Sequence, residues 1–414
     1  MHHSARRQTY FEVKCKNMNK INIYVIIALT ISSVLLLPVF SSALITSNVT
    51  LNTSGLVLYI RTPINTNLIA YGFSWNSSLI SFVANHYSVV DCGFDSDLSA
   101  MQSIKAINPN MIILGYKDFI QDDPSQSDWA VVNNQESWFV HDASGNRITT
   151  YSGDYLMNVS STGWMQHWVS YVNNELGNNT CYNGVFADNV WNTVTAGWWD
   201  LSSPVPDPTS SNWHNATIAF LQYIKANLMS GKIIIVNTDE FDTDDYLAVA
   251  DGQMLEGYVH EPWVNVTVVN HRVTIDCLAR KSATGKIVLA DSGTLTTNAS
   301  QAQIDNMSNY CYASFLIGLN GSQASYGWSQ NPTGAYNTVT YPPIMDTNIG
   351  SPTDQYYSSQ NVYMRDFTSG KVLFNPSANS YTINLGGTYT LLNGTSVTRI
   401  GLAPYTGEIL LTPT

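Results

Sequence analysis

Gly184-Val185-Phe186-Ala187-Asp188-Asn189 climbs from a glycine through three apolar residues onto a carboxylate and an amide. A short apolar run of this kind predicts a buried strand of a parallel sheet that carries its polar residues at the C-terminal end. Seven more such runs lie around it, at residues 56–60, 88–92, 111–116, 232–237, 253–255, 286–290 and 323–326. Between them, residues 97–107, 162–176 and 215–229 space their apolar residues by three and four, the period of a helix resting on a sheet. In the last of these Ile218, Leu221, Ile224 and Leu228 share a face, and Gly231 stops the helix just before the next strand. Eight strands alternating with helices predict an α/β chain folded as a (β/α)8 TIM barrel, an architecture of roughly 250 residues or more. A doubly wound open sheet is disfavoured, because the Gly-rich nucleotide turn after the first strand is missing.

The pattern changes near residues 351–357. From there strands and turns alone follow, at 371–374, 381–385, 388–392, 397–402 and 408–411, punctuated by Asn-Pro, Gly-Gly and Asn-Gly. The expected organisation is residues 1–43 as a leader, 44–355 as the barrel, and 356–414 as a small antiparallel β domain of sandwich type. That last domain contains no Trp, whereas all eleven lie between Trp75 and Trp328. Its expected role is to cover the barrel and complete a core. Sugar binding is the lesser reading for it, since sugar sites usually need exposed rings.

The leader is read from charge and hydropathy. Arg6, Arg7, Lys14, Lys16 and Lys20 precede an apolar stretch over residues 21–40, and Ser41-Ser42-Ala43 follows. This is the order of a secretory signal, with cleavage expected after Ala43 and Met18 as an alternative start. An uncleaved signal anchor is the competing reading, weakened by Thr30, Ser32, Ser33 and Pro38. The whole chain of 414 residues carries 18 Lys and Arg against 30 Asp and Glu. Removal of the leader leaves 13 against 29, a net charge of −16. Such acidity disfavours a nucleic-acid partner, which is held mainly by clustered cations. Eleven Asn-x-Ser/Thr sequons beside a secretory signal favour an extracellular or cell-surface glycoprotein. Membrane contact is expected only if the leader stays uncleaved, and no pattern indicates an oligomeric state.

Cys92, Cys181, Cys277 and Cys311 remain after the leader, enough for two disulfides in an oxidising compartment and equally compatible with buried free thiols. No Cys or His spacing suggests a metal, and no cofactor motif is present.

Function in such a barrel sits where strands end. The fourth candidate strand ends in Asp188 and Asn189, the fifth in Asn237, the sixth in Glu256 and Tyr258, the seventh in Asp291. The third ends Gly115-Tyr116-Lys117-Asp118, and Asp239 and Glu240 follow the fifth. Acids gathered at one rim without a His cluster suit paired-carboxylate chemistry, in which one carboxyl protonates a leaving oxygen while the other attacks or activates water. Trp191, Trp198, Trp199, Trp263, Trp328, Tyr258 and Tyr326 lie close to the same ends, as candidate sugar platforms or as ordinary loop packing.

Three segments carry a family resemblance: Trp138-Phe139-Val140-His141-Asp142-Ala143-Ser144-Gly145-Asn146, Asn183 through Asn189, and Gly252-Gln253-Met254-Leu255-Glu256-Gly257. They resemble hypothetical glycosyl hydrolase family fifteen and, more distantly, endo-α-1,4-polygalactosaminidase-like enzymes. The likeness runs from about Tyr71 to Thr412 and includes Arg365-Asp366-Phe367 and Leu385-Gly386-Gly387 in the tail. It implies Asp188 as nucleophile or base and Glu256 as general acid, with the reverse assignment as the alternative. It also implies His141, Asp142 and Asn189 as groups that position substrate, although Asp-Ala-Ser-Gly-Asn is equally a turn. Asn158 stands where the related pattern has an acid. Asp291 would stabilise charge, cap the next helix or support its neighbours.

The expected function is therefore hydrolysis of a polysaccharide or glycan. A catalytically inert carbohydrate-binding or surface-layer glycoprotein on the same scaffold is the alternative, favoured if Asp188 and Glu256 stand more than about 10 Å apart. A lyase or metal-dependent deacetylase is the weakest reading, since the metal ligands are lacking.

Overall fold

The structure is a computed structural model of the chain and describes residues 64–94, 97–195, 200–238, 243–267, 275–331 and 338–413. The leader (residues 1–43), the first candidate strand at 56–60, Trp198, Trp199, Asp239 and Glu240 lie outside those residues.

Eight parallel strands stand side by side in the order β1 (Asn67–Ile69), β2 (Val89–Gly93), β3 (Ile112–Asp118), β6 (Gly184–Asp188), β7 (Ile233–Asn237), β8 (Gly252–Glu256), β9 (Ile287–Leu295) and β10 (Ala324–Asn331). A parallel bridge between Thr66 and Tyr326 brings the last strand back to the first, and Tyr326 N donates to Asn65 O at 3.0 Å. The result is a nearly closed barrel, and the predicted fold class is correct. The first strand of the described residues is Asn67–Ile69, a barrel strand that the sequence reading did not pick out; the candidate at 56–60 lies outside the described residues.

Side chains alternate between the two faces of each strand. Inward positions hold Ile69, Val89, Ile112, Leu114, Phe186, Ile233, Ile235, Met254, Ile287 and Leu289, which fill the barrel as one apolar plug. Outward positions pack against the surrounding helices. In the helix Thr162–Asn178 the buried residues Trp164, Trp168, Val169, Val172 and Leu176 follow the helical period, and Ser161 caps its start by accepting from Trp164 N. The helix Leu98–Ile107 starts where predicted, with Asp97 accepting from Ser99 N and Ala100 N.

Between β3 and β6 the chain makes a long excursion in which β4 (Gln121–Asp122) and β5 (Tyr155–Leu156) pair as a two-stranded antiparallel sheet. Its anchor is Lys117, an outward residue of β3. The ammonium lies 3.3 Å from Asp122 and 3.2 Å from Asp128, and 4.7 Å from the centre of the Tyr171 ring. His167 Nε2 reaches the same Asp128 at 2.9 Å.

The C-terminal sheet holds six antiparallel strands: β11 (Tyr357–Ser359), β12 (Val362–Phe367), β13 (Gly370–Asn375), β14 (Tyr381–Leu391), β15 (Ser396–Leu402) and β16 (Thr406–Leu411). The sequence pattern suggested two strands on either side of Gly386-Gly387. They are one strand, β14, whose pairing with β15 shifts register between Asn384 and Tyr389. Gly386 takes φ +73°, so the glycine pair bends the strand instead of reversing it.

This sheet packs on the barrel helix Gln301–Gly318. Phe367, Val372, Phe374 and Ile409 share a core with Tyr310, Ala313 and Ile317, and the Tyr310 and Phe374 rings stack at 4.8 Å. Gly407 comes so close to that helix that a Cβ there would meet Ala313 Cβ at 2.3 Å. Arg365 is 3% exposed and donates to Leu316 O and Ile317 O at 3.3 and 2.8 Å and to Leu319 O, capping the helix C-terminus with a cation. The covering role read from the sequence corresponds to this packing.

Cys92, Cys181, Cys277 and Cys311 are all free and buried. The helices of the described residues include none long and apolar enough to cross a membrane.

Candidate active site

Two residues beyond the apolar plug, on the same inward face, the strands change character. Val89 is followed by Asp91, Leu114 by Tyr116, Phe186 by Asp188, Ile235 by Asn237, Met254 by Glu256 and Leu289 by Asp291. A polar layer thus lies directly on the plug at the C-terminal mouth of the barrel. The alternation that builds the strands also aims these groups at the axis.

Asn237 sits at the centre of this layer. Its Nδ2 donates to Asp188 Oδ1 at 2.8 Å and to Glu256 Oε2 at 2.7 Å. One nitrogen that serves two acceptors limits their separation to the sum of those distances, about 5.5 Å. Asn237 is itself only 8% exposed, whereas Asp188 and Glu256 are half-buried. The bridging amide therefore lies beneath two carboxyls that solvent reaches.

Asp188 takes three further hydrogen bonds: Tyr116 OH on Oδ2 at 2.9 Å, the Asn189 backbone N on Oδ1 at 2.9 Å, and a longer one from Asn189 Nδ2 on Oδ2 at 3.5 Å. Burial pushes the Asp188 carboxyl above the ordinary aspartate range, while Asn237, Tyr116 and Asn189 hold it down by favouring the charged form. Asn189 adopts φ 56°, a left-handed conformation that Asn tolerates, and this turns its Nδ2 to Asp118 Oδ2 at 2.6 Å. Asp118 is the register partner of Asp188 on β3, and it also accepts from Ile120 N and Gln121 N at 2.9 and 2.6 Å. Burial, then the nearby Asp188, pushes Asp118 well above the usual carboxylate range.

Asp91, on β2, faces the same mouth. It accepts from Tyr71 OH, and burial raises it well above the ordinary range, with the charges of Asp188, Glu256 and Asp291 adding to the shift. Asp291 is raised well above the ordinary range by burial and by Glu256. The site is a ring of acids around neutral donors, and Lys117 is turned outward to Asp122 and Asp128.

The other sequence candidates fall elsewhere. Asp142 closes its own turn, accepting from Ser144 N at 2.9 Å and from Asn146 N at 2.8 Å. His141 Nε2 pairs with Glu136 at 2.6 Å, and Arg147 Nε donates to the same Glu136 oxygen at 2.9 Å. Both residues belong to the excursion and share no described hydrogen bond with the acids of the mouth. Four proposed platform rings are packed inside instead: Trp191 at 1% exposed, Tyr258 and Tyr326 at 0%, Trp328 at 4%. A ring so enclosed presents no face to a sugar. Trp191 serves from behind, its Nε1 donating to Asn189 Oδ1 at 3.2 Å. Trp263, on the loop after β8, is 48% exposed.

Tyr71 and Asp91 were missed by sequence reasoning. For Asp91 a signal was available, an acid two positions after an inward Val in an apolar run. Among the described residues no group of three His, Cys, Asp or Glu side chains has the arrangement of a metal site.

A model of hypothetical glycosyl hydrolase family 15 matches residues 105–371. The chain belongs to that family. The matched segment holds Tyr116, Asp188, Asn237 and Glu256, while Tyr71 and Asp91 lie ahead of it. The fold is also similar to that of a maltogenic α-amylase from Thermotoga neapolitana, at 13% identity over 83% of this chain and 98% of that one, with a TM-score of 0.48. A trehalose-6-phosphate hydrolase from Bacillus licheniformis aligns at 9% identity over 84% and 98%, with a TM-score of 0.49. A GH36 α-galactosidase from Geobacillus stearothermophilus aligns at 10% identity over 84% of this chain and 55% of its own, with a TM-score of 0.44. No curated protein sequence matches. Membership makes the chain a glycosyl hydrolase by family, on a (β/α)8 barrel with an appended β domain.

Proposed function

We propose that this hydrolase cleaves the glycosidic bonds of an extracellular polysaccharide or glycan with retention of configuration, Asp188 acting as nucleophile and Glu256 as general acid and base. The observation that carries the reading is the Asn237 bridge. Retaining glycosidases place their carboxyls about 5–5.5 Å apart, whereas inverting ones leave 6.5–9.5 Å for a water. The facing oxygens of the two carboxyls, tied to one amide, stand no more than about 5.5 Å apart, which supports the shorter class. The same closeness favours catalysis over the inert binding alternative.

In the first step an Asp188 oxygen bonds to the anomeric carbon as the glycosidic C–O bond breaks, and Glu256 gives its proton to the departing oxygen. In the second, Glu256 takes a proton from water as that water attacks the anomeric carbon. The ester to Asp188 breaks, both carboxyls return to their starting state, and one water has been consumed. Asn237, Tyr116 and the Asn189 amide disperse the negative charge of Asp188 before attack and after release. The test is proton NMR of the first-formed anomer from a panel of aryl glycosides and polysaccharides. Retention is expected, and an inverted first product excludes the double-displacement reading.

The nucleophile works as a carboxylate, and burial raises Asp188. The acidic limb of kcat/KM is therefore expected above the pH of an ordinary aspartate. Tyr116→Phe removes a donor that favours the ionised form, so that limb should move to still higher pH, with kcat lowered about tenfold. A pH–rate profile checks both, and an unmoved limb detaches Tyr116 from Asp188.

Trp263 is the exposed ring on the loop that follows the Glu256 strand, and its free face suits a sugar unit beyond the cleaved bond. Trp263→Ala is expected to raise KM for a polymer roughly 3- to 10-fold while kcat holds, the mark of lost uniform binding.

An extracellular location is supported by the charge and hydropathy of residues 1–43 together with the eleven sequons. N-terminal sequencing of the exported protein should begin at Leu44. A protein that retains residues 21–40 would identify the segment as an anchor instead.

A further inference from the structure

On the wall opposite Asp188 the strands converge on a residue without a side chain. Glu256 is in register with Asp291 on β9, and Asp291 is in register with Gly327 on β10. A Cβ placed on Gly327 would lie 2.4 Å from Asn67 Nδ2 and 2.6 Å from Asp291 Oδ1, so those two atoms stand within about 5 Å of each other. Asn67 belongs to β1, the strand that closes the barrel. Its own Oδ1 accepts from Ser325 Oγ at 2.9 Å, which fixes the carboxamide and commits Nδ2 to the side of Gly327.

Asn67 is 2% exposed and Asp291 1%, yet Asn67 Nδ2 and Asp291 Oδ2 have no hydrogen-bond partner among the described residues. An unmatched buried donor beside an unmatched buried acceptor is costly, and native proteins keep few such groups without a purpose. A hydroxyl answers both at once, because its oxygen accepts while its hydrogen donates. The unmatched acceptor, Oδ2, is the other oxygen of the carboxyl whose Oδ1 flanks Gly327, and Ser329 already hydrogen-bonds to that carboxyl. Asp91 Oδ1, on the neighbouring β2, is a second unmatched acceptor of the same layer.

We propose that Asn67, Asp291 and the bare backbone of Gly327 form a notch that recognises one hydroxyl of the glycone, the sugar whose anomeric carbon lies between Asp188 and Glu256. The wall formed by β9, β10 and β1 then decides which epimer is accepted. A sugar with that hydroxyl inverted or missing leaves both buried groups unmatched, which is how a polar site rejects a near-isostere. Gly327 is required because any side chain there occupies the space between the two partners. The assignment rests on the glycosidase reading of Asp188 and Glu256, and its test separates the two.

The variants are Gly327→Ala, which fills the notch, and Asn67→Ala, which removes the donor without adding bulk. Both are assayed with 4-nitrophenyl glycosides of glucose, galactose and mannose and with their singly deoxygenated forms. In the wild type, loss of one particular hydroxyl should lower kcat/KM about 10- to 100-fold. In both variants that penalty should shrink to less than about threefold, while penalties at the other positions persist. A full penalty in both variants overturns the notch. If the wild type turns over none of these glycosides, binding of the free monosaccharides is read by saturation-transfer NMR on the wild type, the two variants and Glu256→Gln. One epimer should bind the wild type and Glu256→Gln alike and be weakened at least tenfold in both notch variants. Binding indifferent to the variants, or no binding at all, overturns the proposal. If Gly327→Ala fails to fold, Asn67→Ala alone decides.

Discussion

Asp188→Asn and Glu256→Gln are each expected to lower kcat on a natural glycan by about 10⁴-fold, with the fold unchanged. The amides keep the size of the carboxyls they replace, and each carbonyl oxygen can still accept from Asn237. What is lost is the nucleophile in one case and the transferable proton in the other. The two losses are distinguishable. A 4-nitrophenolate departs without a proton, so Glu256→Gln should retain much of its first-step rate on an aryl glycoside and then stall for want of a base. An added anion such as azide, which needs no base, should then rescue turnover. Asp188→Asn should be equally inactive on good and poor leaving groups, because no leaving group replaces a missing nucleophile. The opposite pattern would assign the roles in reverse, with Glu256 as nucleophile.

Lys117→Met is expected to destabilise the protein by about 3–5 kcal/mol. The ammonium lies between two acids in a region where Lys117, Asp122 and Asp128 side chains are 4%, 0% and 6% exposed. A methionine fills the channel beneath Tyr171 yet leaves the buried Asp122 without a cation and Asp128 with His167 as its remaining partner. The pH dependence has a definite sign. Burial already pushes Asp122 up to about 6 against the pull of Lys117. Because that value lies above the unfolded one near 3.9, the native state holds its proton more tightly than the unfolded chain. The associated stability is present below pH 4 and is lost as pH rises through 6. Without Lys117 the loss continues to higher pH, so the variant's deficit should be largest near neutrality and smallest near pH 4. Urea unfolding across that range checks it. A deficit that does not change with pH would mean that the lysine acts through packing.

Both predictions depend on the same feature of the strands. In β3, Tyr116 and Asp118 face the mouth while Lys117, between them, faces the helix Thr162–Asn178 and anchors the excursion. This alternation is what the sequence makes legible. Apolar runs ending in Asp188, Asn237, Glu256 and Asp291 place those groups correctly, because a strand of period two carries its next inward residue onto the rim. Asp91 follows the same rule but is enclosed by an apolar run and reads as part of it.

Other features depend on contacts between distant segments, and local pattern does not carry them. The first strand of the described residues is only Asn67-Leu68-Ile69, preceded by Asn65 and Thr66. All three polar residues are buried, so hydropathy does not pick the strand out. The bridging role of Asn237 follows from its position between two acids on flanking strands, since an amide at a strand end has no distinctive local signature. Trp191, Tyr258, Tyr326 and Trp328 illustrate the converse. An aromatic ring beside a strand end serves a sugar or a core equally well, and only packing distinguishes the two. Asp-Ala-Ser-Gly-Asn was legible as a turn from its residue types alone, and Asp142 closes that turn.

Trapping of the covalent intermediate tests the paired-carboxylate account most directly. The protein is incubated with an activated fluorosugar whose glycosyl ester turns over slowly, and the modified peptide is sequenced by mass spectrometry. One glycosyl unit is expected on the peptide that contains Asp188, absent from Asp188→Asn and retained in Glu256→Gln. A label on Glu256 or on any other carboxyl, or turnover of the sugar with inversion and no adduct at any time, would contradict the account.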